Sequence, residues 1–175
     1  MNEEDDTIDA QRQRFQCIGL LKNSAQQYVW GDTQGITPFV EAHPVPGYPI
    51  GEVWMGSHER APSKLIFNNS ELALDRLIRQ DPTYWLGDHI STKYDDLPFL
   101  FKVLAAGSPL SLQVHPNLEQ AEIGFSREEA AGIGRLTPER TFKDPHHKPE
   151  LAVALTSFKA LAGFRPIEEI CSLLG

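Results

Sequence analysis

Two short stretches of this sequence combine side chains that can bind a metal ion and move protons. The first is Pro109-Leu-Ser-Leu-Gln-Val-His-Pro116. Drawn out as a strand, it puts Ser111, Gln113 and His115 on one face and Leu110, Leu112 and Val114 on the other, because alternate side chains share a face. Same-face neighbours stand about 6.6 Å apart along a strand, near enough for Gln113 and His115 to converge on one ion. The second stretch is Lys143-Asp-Pro-His-His-Lys-Pro-Glu-Leu-Ala-Val-Ala-Leu-Thr156. Here Lys148, Glu150, Ala152 and Ala154 fall on one face and Leu151, Val153 and Leu155 on the other. Small alanines beside a lysine and a glutamate leave room for a ligand. An amide oxygen, an imidazole nitrogen and a carboxylate oxygen form a mixed donor set suited to Zn²⁺ or a similar divalent ion. Read singly, His115 fits a hydrogen-bonded structural residue, Glu150 a surface carboxylate and Lys148 a solvated charge. Read together, two segments that alternate packing residues with functional ones describe a polar cavity. Spacing alone names no reaction.

The elements that must hold these residues are short and numerous. Residues 1–14 read as a flexible acidic tail. Phe15 to Trp30 mixes apolar and polar residues at short period, as one or two strands do. Residues 31–49 hold three glycines and four prolines and read as a long loop. Ile50–Met55 reads as a strand closed by Gly56. Ser70 is placed to cap a helix running to about Arg79, with Leu74, Leu77 and Ile78 as its apolar stripe and Asp81-Pro82 as its end. Leu97–Leu104 and Leu110–Val114 read as two strands joined by a turn at Ala106–Pro109. Asn117 with Gln120 forms a capping box for a second helix carrying Ala121, Ile123 and Phe125. Leu151–Phe158 is apolar and β-prone. Pro166 stands at a helix start before Ile167–Leu174.

Composition narrows the classes. The chain has 175 residues, 41% hydrophobic and 23% charged, as a globular protein does. Its formal net charge of −8 is opposite to that of a protein that grips nucleic acid by the phosphates. A basic pocket for a small anion remains compatible with it. Cys17 and Cys171 make neither a disulfide framework nor a metal pattern and read as reduced thiols. The acidic start is unlike a secretory signal, and Val103–Val114 is too short and too broken by Gly107, Ser108 and Pro109 to span a bilayer. A soluble, cytoplasmic protein without nucleic-acid or membrane partners is expected.

Several segments resemble the type I mannose-6-phosphate isomerases, also called phosphomannose isomerases. They are Tyr28-Val-Trp-Gly31, Gly51-Glu-Val-Trp-Met-Gly-Ser-His58, Phe99-Leu-Phe-Lys-Val-Leu104, Pro109–Pro116, Glu122-Ile-Gly-Phe125, Asp144-Pro-His-His-Lys-Pro-Glu150 and Ala162-Gly-Phe-Arg165. The resemblance runs from about Gly19 to Gly175. It implies a mainly β, cupin-type jelly-roll barrel with inserted short helices, incomplete at its C-terminal end. Residues 15–165 would form the N-terminal catalytic region, and residues 166–175 would open a helical segment. It implies one zinc per chain, held by Gln113, His115 and Glu150, with a fourth ligand, a histidine, and a catalytic arginine expected beyond Gly175. Lys148 and His147 match residues proposed for proton transfer, and Lys102 and Ser111 match the sugar-phosphate site. Glu52, Trp54 and His58 match a strand beside the pocket, with no role assigned. The family usually has Asn where this chain has His146, which adds a nitrogen that could compete for metal or alter a hydrogen bond near Lys148.

The implied reaction interconverts mannose 6-phosphate and fructose 6-phosphate, within the metabolism that leads to GDP-mannose. It moves a proton between C1 and C2, and so needs a base at that carbon pair and an electrophile for the developing oxyanion. Zinc is such an electrophile. Lys148 is a candidate base, or alternatively a group that binds phosphate or the oxyanion. Lys102 and the Ser111 hydroxyl could hold the phosphate and orient the sugar. Three of four ligands give the expectation that residues 1–175 alone bind zinc weakly and turn over little. A monomer is expected at the family's full length. The alternative is a non-catalytic truncated cupin that binds metal or sugar phosphate.

Overall fold

The computed structural model describes residues 19–40 and 47–175. The acidic tail, Cys17 and part of the 31–49 loop lie outside the described residues. The chain divides into two compact units, one ending at Ser111 and one beginning at Leu112.

The first unit holds two three-stranded antiparallel sheets. Its strands are β1 (Leu20–Lys22), β2 (Ser24–Asp32), β3 (Ile50–Met55), β4 (Lys64–Phe67), β5 (Ser70–Ala73) and β6 (Phe101–Leu104). One sheet runs β1-β4-β5 and the other β2-β3-β6. β3 is the central strand of its sheet, and five of its six residues are buried. Ile36, Ile50 and Val53 form the core there, with Ala25, Val40, Met55, Val103 and Ala105 packed on it. Gly31 is required at the end of β2. A Cβ there would lie 2.4 Å from the Ile50 carbonyl carbon, inside any real contact. That close approach accounts for the glycine of the Tyr-Val-Trp-Gly segment.

Ser70 does not cap a helix. Asn68 and Asn69 both take positive φ, 48° and 63°. Two successive residues in that region make a hairpin turn of the kind that matches strand twist. The turn joins β4 to β5, so Ser70 opens a strand. Helix α1 (Leu74–Gln80) begins three residues later than expected, buries Leu77 and Ile78, and ends at Asp81. Asp81 also caps α2 (Pro82–Leu86), accepting from the Tyr84 backbone N–H at 3.0 Å. A third short helix, α3, spans Asp88–Ser91.

The second unit is built on α4 (Leu118–Ala130). Its capping box is formed as expected: Asn117 Oδ1 accepts from Gln120 N at 2.8 Å, and Gln120 Oε1 accepts from Asn117 N at 3.0 Å. Near its C-terminal end the chain returns over the helix and is locked by Arg140, whose side chain is 0% exposed. That guanidinium donates to the carbonyls of Ile133 and Phe142 and to Glu129, and it stacks over Phe125. Glu128 accepts from the backbone N–H groups of Thr141 and Phe142. The Phe142 ring lies on Gly124, where a Cβ would come within 2.6 Å of it. Helix α5 (Ile167–Leu174) follows Pro166 as expected. Cys171 is a free, exposed thiol.

The two expected strands Leu110–Val114 and Leu151–Phe158 are not formed. A strand exists through the hydrogen bonds it exchanges with a neighbour, and among the described residues neither segment has such a neighbour. Their apolar sides are therefore exposed, Leu112 to 85% and Leu151 to 92%. Among the described residues no helix is long and apolar enough to cross a membrane.

Candidate active site

In the second unit, folding brings His115 to the Asp144–Glu150 loop without any strand pairing. His115 Nδ1 lies 3.1 Å from the Lys148 carbonyl oxygen. A carbonyl can only accept, so Nδ1 carries the proton and Nε2 presents its lone pair. The Glu150 carboxylate stands 3.8 Å from the same Nδ1, beyond hydrogen-bonding reach. A metal-ligating histidine typically donates its other ring N–H to a backbone carbonyl in this way, which fixes tautomer and ring orientation. His115 and Glu150 match zinc in donor type, while the Glu150 carboxylate stands on the Nδ1 side of the ring and not at the free Nε2. Gln113 lies two residues before His115 and is exposed. Among the described residues no three His, Cys, Asp or Glu gather at one point, so an amide oxygen such as Gln113 would have to complete a three-donor set.

Lys148 serves this loop twice. Its carbonyl orients His115, and its Nζ donates to both Asp144 oxygens at 2.8 Å. Asp144 Oδ1 also accepts from the His146 backbone N–H at 3.0 Å. Burial acts to raise the Asp144 pKa, but the bonds from Lys148 and His146 outweigh it and hold the carboxyl below its ordinary range. His146 engages this loop through its backbone N–H, so the Asp144 turn does not depend on its side chain. His147 is exposed on the same loop. Asp144 received no role from the sequence, although its spacing of four from Lys148 was visible there.

In the first unit, Lys102 sits on β6 opposite Trp54 on β3. Its Nζ donates to Glu52 Oε1 at 3.0 Å, and Trp54 Nε1 donates to Glu52 Oε2 at 2.7 Å. His58 places its ring 4.7 Å from that of Trp54. Glu52 and Trp54, to which the sequence assigned no role, meet here because residues two apart on a strand share a face. Tyr28 has its pKa raised, mainly by burial and secondly by the charge of Glu52. Ser111 is exposed at the end of this unit.

Antiparallel sheets with short helices agree with part of a cupin-type jelly roll, the fold of the solved structures the chain resembles. A family model described as phosphomannose isomerase type I, catalytic domain, matches residues 18–167, and the chain belongs to that family. It is 44% identical over 155 residues to a mannose-6-phosphate isomerase of Salmonella typhimurium, covering 88% of this chain and 40% of that one. To the mannose-6-phosphate isomerase of Homo sapiens it is 36% identical over 164 residues, covering 88% and 36%. Among solved structures it resembles mannose 6-phosphate isomerase from Salmonella typhimurium bound to its substrate fructose 6-phosphate and a zinc atom. There the TM-score is 0.66 at 42% identity, over 73% of this chain and 32% of that one. The chain spans about two fifths of the length of the curated relatives it matches.

Proposed function

We propose that this chain carries the N-terminal part of a zinc-dependent aldose–ketose isomerase that interconverts mannose 6-phosphate and fructose 6-phosphate. One observation supports this beyond family membership: His115 Nδ1 donates to the Lys148 carbonyl, which leaves Nε2 as the nitrogen available to a metal. Gln113, His115 and Glu150 are the residues that would hold zinc. When bound, zinc would supply Lewis-acid polarisation of a substrate oxygen.

The other roles fall to the chain's own side chains. Lys148 moves the proton between C1 and C2, and Asp144 sets where its ammonium stands. His147, exposed on the same loop, assists that transfer. Lys102 and Ser111 bind and orient the sugar phosphate. The substrate is a soluble sugar phosphate, and the compartment is the cytoplasm. Residues 1–175 by themselves bind zinc weakly and turn over little, because three donors are the minimum for such a site and one of them is a neutral amide. The test is a chimera in which these residues replace the matching part of the Salmonella typhimurium enzyme. Coupled isomerase activity that is abolished by His115→Ala supports the proposal. A folded, zinc-loaded chimera without activity contradicts it.

A further inference from the structure

We propose that Glu52 is a positioning residue of the sugar-phosphate site, holding the Lys102 ammonium in place while Trp54 fixes Glu52. The role of Lys102 toward substrate rests on the isomerase reading. The clamp itself rests on the geometry of one sheet. Glu52 and Trp54 share a face of β3, and Lys102 stands across from Trp54 in the β3–β6 register. Glu52 is only 6% exposed. A carboxylate drawn that far out of water persists only when it is paired and hydrogen-bonded. Both of its oxygens meet that need, one with the indole N–H and one with the ammonium.

Trp54 is buried and its ring is packed on His58, so the indole N–H has little freedom to leave. Lys102 keeps 33% of its side chain exposed. An ammonium has three donors. The one toward Glu52 is committed, and the others can reach a ligand. The contacts therefore run from core to surface: indole, carboxylate, ammonium. A lysine on a flexible four-carbon stem must otherwise be ordered when it binds, and a preformed clamp removes that cost beforehand.

The experiment is acetic anhydride labelling of the full chain, read by mass spectrometry, with Lys102 expressed relative to Lys64 in the same digest. Glu52→Gln keeps size and packing but has one acceptor oxygen where indole and ammonium each use a separate one. The Lys102-to-Lys64 ratio is expected to rise roughly tenfold in this variant, as for the loss of one charge-assisted hydrogen bond. Trp54→Phe keeps the ring, loses the donor, and shifts the ratio the same way by less. It decides the matter should Glu52→Gln fail to fold. An unchanged ratio overturns the proposal. Mannose 6-phosphate affinity is then compared in the chimera carrying Glu52→Gln, Lys102→Met or both. A double variant no weaker than Lys102→Met supports action through Lys102, and additive losses overturn it. A raised ratio together with a folded, zinc-loaded chimera that does not bind mannose 6-phosphate removes the isomerase reading and leaves the clamp standing.

Discussion

At the residue scale, backbone and side chain of Lys148 do different jobs. The carbonyl that orients His115 survives any side-chain substitution except one that refolds the loop. The ammonium does not. Lys148→Ala in the chimera is therefore expected to keep its zinc while turnover falls about a hundredfold or more, the usual share of a general acid or base. Metal analysis and kinetics on one preparation check it, and near-normal turnover would take Lys148 out of the proton transfer. His115→Ala should instead lose zinc and activity together. The Lys148–Asp144 pair is about half exposed on both sides. Such pairs contribute only about 0–1 kcal/mol, so Asp144→Asn should leave the melting temperature nearly unchanged, as calorimetry would show. The identity of these residues was legible in the sequence, because each lies inside a compact segment. The partners Asp144 and Glu52 were not assigned, because a hydrogen bond depends on where a side chain points, and that is set by packing.

At the scale of elements, the strongest local lock is the buried Arg140 with Glu128 and Glu129. Removing the cation of a buried ion pair leaves its partner's charge uncompensated and costs about 3–5 kcal/mol; Glu128 would keep only its two backbone donors. Arg140→Met should destabilise the second unit by that order in a denaturant titration, far more than any surface pair. The β1-β4-β5 sheet carries a different device. Glu71 on β5 accepts from Lys22 on β1 at 2.6 Å and from Lys64 on β4 at 2.8 Å. These bonds hold its carboxyl down to about 2, from an ordinary 4.5. The folded value lies below the unfolded one, so the stabilisation is present above about pH 4.5 and is lost as the pH falls toward 2. Acid unfolding of Glu71→Gln should lack that part of the pH dependence. Equal slopes for both proteins between pH 4.5 and 2 would contradict it.

Elements set by neighbouring residues were readable in advance. The Asn117–Gln120 capping box, the Pro166 helix start and the β3 strand each answer to a signal within a few positions. The Asn68-Asn69 turn was also written locally, but Ser70 was read as a cap because a hairpin and a helix start use the same polar residues. Leu110–Val114 and Leu151–Phe158 have the right alternation and no strand partner among the described residues, and alternation specifies a face without supplying the hydrogen bonds.

At the scale of the whole molecule, the exposed apolar side chains of those two segments sit beside residues assigned to the metal and the proton transfer. Lys102 and Ser111 belong to the first unit, and Gln113, His115, His147, Lys148 and Glu150 to the second. The chain covers 40% of its Salmonella relative, so the isomerase reading depends on whether this part works when joined to the rest of such an enzyme. The direct measurement is the coupled isomerase assay with mannose 6-phosphate on the zinc-loaded chimera beside the zinc-loaded 175-residue chain. Turnover by the chimera is expected within about tenfold of the Salmonella enzyme, a barrier difference of about 1.4 kcal/mol, with little or none by the chain alone. A chimera that folds, holds zinc and fails to isomerise would contradict the assignment of Gln113, His115, Lys148 and Glu150 to the reaction.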